Sequence, residues 1–142
     1  MPEYIGKGNN MRVDNDCVRE ILLTVEKKSN HETPCCFHNP HKSHEELSKY
    51  EVDKIRYHLR YLKMANYIYV PKEYEKYPEH DFYVDLTPTG HEFLNTIRDP
   101  EVWSKTKKLS HEAGSFSLKI ISAIAEGLAK GYVSTTLNLP IT

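Results

Sequence analysis

A helical stripe that runs directly into a β-branched, aromatic segment is the feature that most limits how this chain can fold. Between Tyr50 and Ala65, Val52, Ile55, Leu59 and Leu62 recur at intervals of three and four, so they share one narrow face of a helix. The opposite side carries Asp53, Tyr57, Arg60, Tyr61 and Met64, flanked by Lys54, Arg56 and Lys63. Asn66 can take the left-handed conformation that ends a helix, and Tyr67 to Val70 then reads as a strand. Phe82 to Leu86 reads as its partner. The link from Pro71 to Asp81 is too long for a tight hairpin turn and predicts an open loop.

Upstream, Val18, Ile21, Leu22 and Val25 repeat at helical spacing behind Asp14, Asn15 and Asp16, any of which can act as N-cap; the pattern predicts a helix over Asp14–Lys28. Ser29 to Lys42 has no aliphatic side chain and two prolines, which predicts a loop with at most a short strand at Cys35–Phe37. Ser43 and Glu46 have the spacing of a capping box, so a short helix is expected over Ser43–Lys49. Helix, helix, helix and hairpin in that order make a winged helix-turn-helix. The expected fold is therefore α+β, mainly α, with residues 11–98 as core and the first ten polar residues as a flexible arm.

Past the hairpin, Thr87 before Pro88 is a natural N-cap, and Phe93, Leu94 and Ile97 continue the helix until Asp99 and Pro100 break it. A second helix follows with Val102, Trp103, Thr106 and Leu109, ending at Gly114. The longest apolar pattern, Leu118, Ile121, Ile124, Ala125, Leu128 and Tyr132, predicts a helix from Ser115 to about Gly131. Residues 99–142 are thus expected as a helical extension of the same domain. A second subunit could pair on the face carrying Ile121, Ile124 and Leu128, since two-fold symmetry is the commonest oligomer solution.

Three stretches carry a family resemblance: Asp16 to Leu23, Tyr57 to Ile68, and above all Leu86 to Asp99 followed by Val102 to Lys107. They resemble the family called domain of unknown function 2513, over roughly Met11 to Lys130. That resemblance implies a small winged-helix protein of the kind common in phages and prophages, and implies no catalytic residues. The chain departs from the family pattern at its arm and at the Cys- and His-bearing segment from Cys35 to His44. The Leu-Thr-x-x-Gly-x-x-Phe-Leu stretch beginning at Leu86 is also similar to many winged-helix regulators.

Charge says where a partner would bind. The 142 residues carry 19 Lys and Arg against 20 Asp and Glu, a net charge of −1, so no global positive field favours nucleic acid. The segment from Leu47 to Lys63 differs: Lys49, Lys54, Arg56, Arg60 and Lys63 outnumber Glu51 and Asp53 by three. Lys49, Lys54 and Lys63 can neutralise phosphates of duplex DNA, Arg56 or Arg60 can reach guanine edges, and Tyr50 and Tyr57 can contact sugar, phosphate or the thymine methyl. The expected function is a small phage- or prophage-type DNA-binding protein, a transcriptional regulator. A dimer would set two such helices about 34 Å apart on successive major-groove turns.

The wing weakens this reading, because Lys72 and Lys76 face Glu73, Glu75, Glu79 and Asp81. The alternative is a protein-interaction module of the same fold, one that binds or inhibits a host or phage protein in the manner of an anti-defence factor. Tyr57, Tyr61 and Met64, together with the tyrosines of the wing, would supply the aromatic surface. A solvated helix face that serves only solubility remains the bland option.

Other chemistry has little footing. Cys35, Cys36, His38, His41 and His44 fall within ten residues but lack the spacing of a zinc site, so a solvent loop with incidental histidines is expected and no metal or other cofactor. Cys17 reads as a small buried filler. Glycine-rich phosphate loops, nucleophile elbows and zinc-protease motifs are missing, and His58 and His91 read as packing or polar-network residues, so no enzyme activity and no small-molecule substrate are expected. An odd cysteine count and no apolar run of membrane-spanning length point to a cytoplasmic protein with reduced thiols.

Overall fold

The computed structural model describes residues 11–77, 83–115 and 117–137, with side chains described up to Gly131. Among them are six α-helices and a small three-stranded antiparallel sheet, in a mainly helical α+β arrangement. The chain divides into two compact units, one ending at His91 and the other beginning at Glu92. The expected arm, residues 1–10, lies outside the described residues.

In the first unit, α1 (Asn15–Lys28) starts where its chemistry dictates. Asp14 stands at the N-cap and its carboxylate accepts the amides of Asp16 and Cys17 at 3.0 and 3.2 Å, while Lys27 and Lys28 close the last turn. Cys17, Val18, Ile21, Leu22 and Val25 are buried along one side. Strand β1 (Cys35–Cys36) follows, then the short helix α2 (Pro40–Ser43), a 3-10 turn over Glu45–Leu47 and α3 (Val52–Met64). Strand β2 (Ile68–Tyr69), a second 3-10 turn over Lys72–Tyr74, and β3 (Tyr83–Leu86) complete the sheet. Its order is β1-β3-β2, with Cys35 opposite Val84 and Ile68 opposite Leu86. Phe82, expected to open the last strand, lies outside the described residues.

The segment from Cys35 to His44 is not the solvent loop its composition predicts. Phe37 is fully buried, Cys35 and His44 nearly so, and the Phe37 and His44 rings lie 4.7 Å apart. With no aliphatic residue to offer, this stretch contributes a thiol, a benzyl ring and a neutral imidazole to the core. The expected capping box does not form either. The helix starts three residues earlier, with Pro40 at N1, and Ser43 ends it. The Lys28 ammonium reaches its C-terminal end, donating to the Ser43 carbonyl at 2.7 Å and to His44 Nδ1 at 3.0 Å.

Helix α3 ends in a Schellman motif: Asn66 has φ 68°, its amide donates to the Lys63 carbonyl, and the Tyr67 amide donates to that of Leu62. Helix α4 (Pro88–Ile97) starts where the sequence places it. The Thr87 hydroxyl accepts the Gly90 amide at 2.9 Å and donates to the Asn66 carbonyl at 2.7 Å. Gly90 is required there, because a Cβ would overlap the Tyr67 carbonyl oxygen. That close approach brings the first turn of α4 onto the chain entering β2.

In the second unit, α5 (Pro100–Ala113) is capped by Asp99, whose carboxylate accepts the amides of Glu101 and Val102. Asp99 and Pro100 therefore end one helix and begin the next. Gly114, at φ 72°, stops α5. Helix α6 (Leu118–Leu137) packs against α5 with Leu118, Ile121 and Ala125 buried. It starts later than expected and runs past Gly131, because one helical glycine costs only about 1 kcal/mol, too little to end a helix.

Candidate nucleic-acid interface

Helix α3 has its buried side formed by Ile55, His58, Leu59 and Leu62. His58 thus takes a place in the stripe where Val52 was expected, and Val52 is only half-buried. The imidazole fits a dry site because both ring nitrogens are satisfied: Nδ1–H donates to the Lys54 carbonyl at 2.8 Å and Nε2 accepts the Asp14 amide at 2.9 Å. Burial holds its pKa below 6.5, outweighing the Lys54 carbonyl and the Asp14 charge, which act upward.

The seven residues expected to meet DNA divide into two groups. Arg56, Tyr57, Arg60 and Lys63 lie with Asp53 and Met64 in a sector of about 120° on the side of α3 away from its buried stripe. The Arg60 guanidinium sits over the Tyr57 ring at 5.7 Å, and Arg56 reaches the His38 carbonyl at 3.4 Å. Tyr57 also meets the His58 ring edge-on at 5.9 Å, which seats it against the buried stripe. Arg56 and Arg60 are exposed and Lys63 is half-buried.

Lys49, Tyr50 and Lys54 sit on the flank facing α1. The Lys54 ammonium contacts the Asp14 carboxylate at 2.7 Å, and Lys49 approaches Glu20 at 3.8 Å. Both ammonium groups lie 5.5 Å from the centre of the Tyr50 ring. Burial, then the charge of Asp14, pushes the Tyr50 hydroxyl well above its usual pKa. For Asp14 itself burial acts upward, but hydrogen bonds from Lys54, Cys17 and Asp16 with the Lys54 charge outweigh it, and the carboxyl stays below 3.8. The local positive excess is thus partly neutralised by acids 40 and 29 residues earlier in the chain, which nothing in the local pattern announces.

Of the residues considered for protein contact, Tyr57 and Tyr61 are half-buried and Met64 is 79% exposed. Ile121 is fully buried within the chain, whereas Ile124 and Leu128 are half-buried. His91 is exposed at the start of α4, so it is not a packing residue. Among the described residues no group of three or more His, Cys, Asp or Glu is placed to hold a metal ion. Within the Cys/His segment Cys35 Sγ and His44 Nε2 lie 3.7 Å apart, with the same Nε2–H donating to the Cys36 carbonyl at 2.7 Å. No described helix is long and apolar enough to cross a membrane.

The tyrosines on either side of the β2–β3 connection form a cluster that the sequence pattern did not single out as a pocket. Tyr74 stacks on Tyr83 at 5.0 Å, and Tyr77 lies 5.7 Å from Tyr74 and 5.5 Å from Tyr83. Four tyrosines between Tyr69 and Tyr83 were the only available signal.

A small helical and three-stranded protein with a basic, aromatic helix face is the class that this geometry defines. The chain belongs to the family described as Hypothetical protein (DUF2513), whose model matches residues 12–117. No curated protein and no solved structure matches it.

Proposed function

We propose that this protein is a winged-helix DNA-binding protein of phage or prophage type, a small regulator that reads duplex DNA with α3. The connectivity supports the fold name: helix, strand, two helices and two strands, with the first strand beside the last, is the winged helix-turn-helix order. The observation that carries the function is the shared outward sector of Arg56, Tyr57, Arg60 and Lys63 on the helix that such folds place in the major groove. Lys49 adds a phosphate contact from the flank, since its side chain is 61% exposed despite Glu20. A two-fold dimer through Ile124 and Leu128 would present two such helices.

The test is fluorescence anisotropy with a short random-sequence duplex across a salt series. Binding should weaken with salt; Arg56→Ala with Arg60→Ala should lower the affinity, and Lys63→Ala should shallow the log–log slope by about 1 for the phosphate contact removed. No binding at low salt, or an affinity indifferent to the double substitution, sinks the reading.

A second reading has its own observation. Met64 is the most exposed large apolar side chain described, and with Tyr57 and Tyr61 it makes a surface suited to a protein partner. A partner retained after nuclease treatment and lost on Tyr57→Ala or Tyr61→Ala would favour that module over the DNA reader.

A further inference from the structure

Between the segment that follows α1 and the wing lies an open pocket of about 360 Å³. Its walls carry Tyr69, Tyr74 and Tyr77 together with Glu32, Glu73 and Asp85. One wall is preformed: Asn30 Oδ1 accepts the amides of Glu32 and Thr33 at 2.9 and 3.0 Å, and the Asn30 amide donates back to the Thr33 carbonyl. The other is stiffened by the stack of Tyr74 on Tyr83. Lys76 also lines the pocket, with its ammonium 5.7 Å from the centre of the Tyr77 ring.

We propose that this pocket binds the side chain of an arginine presented by a basic polypeptide. Phenol rings offer negative faces to a cation, and carboxylates add charge and hydrogen-bond acceptors. A planar guanidinium uses both at once, stacking on a ring while its edge pairs with a carboxylate, which a compact ammonium does only in part. Lys76 already places a cation of the chain's own over Tyr77, and the incoming arginine displaces it. The site lies off the outward sector of α3, so it stands whether or not that sector binds DNA, and it gives the protein-interaction reading a specific chemistry.

The experiment is a two-dimensional amide NMR titration of the full chain with an acetylated, amidated Gly-Arg-Gly peptide, run beside the same peptide carrying citrulline or lysine and beside free choline. The arginine peptide should shift amides of residues 30–34, Tyr69 and Asp85, with lysine weaker and citrulline silent. Glu32→Gln with Glu73→Gln, both exposed positions, should weaken binding about tenfold. Lys76→Ala should tighten it by removing the competitor. Equal shifts with citrulline, or an affinity unchanged in the double Gln variant, overturn the proposal; tighter binding of choline than of arginine overturns the polypeptide source.

Discussion

The Lys54 ammonium lies 2.7 Å from the Asp14 carboxylate, so a residue expected to serve DNA joins α3 to the N-cap of α1. The pair is about one-third exposed, and solvent screening keeps its worth modest. Lys54→Ala should cost about 1 kcal/mol in urea denaturation and, on the proposed DNA reading, change the salt slope less than Lys63→Ala does. Asp14→Ala also removes the cap and should cost about 2 kcal/mol. An unchanged stability in both variants would mean that the contact does not form.

Buried histidines make the fold sensitive to mild acid. His58 and His44 are both held below the usual 6.5 by burial, which outweighs the upward effect of the carbonyls they donate to. With the folded pKa depressed, the unfolded chain binds protons first, so stability is full above 6.5 and is lost as pH falls through the folded values. The urea midpoint should drop between pH 7.5 and 5.5, and His44→Gln or His58→Gln should shrink that drop. Asp14 adds a separate loss only below 3.8. A flat profile from neutral pH to 5.5 would contradict the buried neutral imidazoles.

Two glycines should respond differently to the same substitution. At Gly90 a Cβ meets the Tyr67 carbonyl oxygen, and Gly90→Ala should cost 3 kcal/mol or more, on the order of severe overpacking. At Gly114 the surrounding space is open and only the φ of 72° opposes a side chain, so Gly114→Ala should cost about 1 kcal/mol. Denaturant midpoints of the two variants decide this, and equal losses would contradict the close approach of α4.

Thiol labelling should separate the three cysteines. Burial pushes the Cys17 and Cys35 thiols up to about 12, with the Asp14 charge adding to the first. Cys36 is half-exposed. Iodoacetamide should therefore modify Cys36 alone in the native protein and all three in denaturant. Rapid native labelling of Cys35 would show that β1 is not held closed.

Elements whose information is local were legible in advance. Asp14 and Thr87 act as N-caps, Asn66 and Gly114 take left-handed caps, and Ile55, Leu59 and Leu62 face inward, because each depends on neighbours within a turn or two. The Cys35–His44 segment was misread because its core residues are not aliphatic and their burial depends on pairing with a strand some fifty residues later. The capping box at Ser43 failed for a related reason. Pro40 starts a helix earlier, and Lys28 from α1 meets its far end.

The charge pattern divides in the same way. Sequence alone determined that the positive excess lies between Lys49 and Lys63 and that Arg56, Tyr57, Arg60 and Lys63 share a side of one helix, since helical periodicity orders residues along a single element. Tertiary structure alone decided which of those cations remain turned outward. Coulomb interactions act through space, so whether Lys54 meets solvent or Asp14 is set by how α1 and α3 pack, and likewise whether Tyr69, Tyr74 and Tyr77 share one pocket with distant carboxylates.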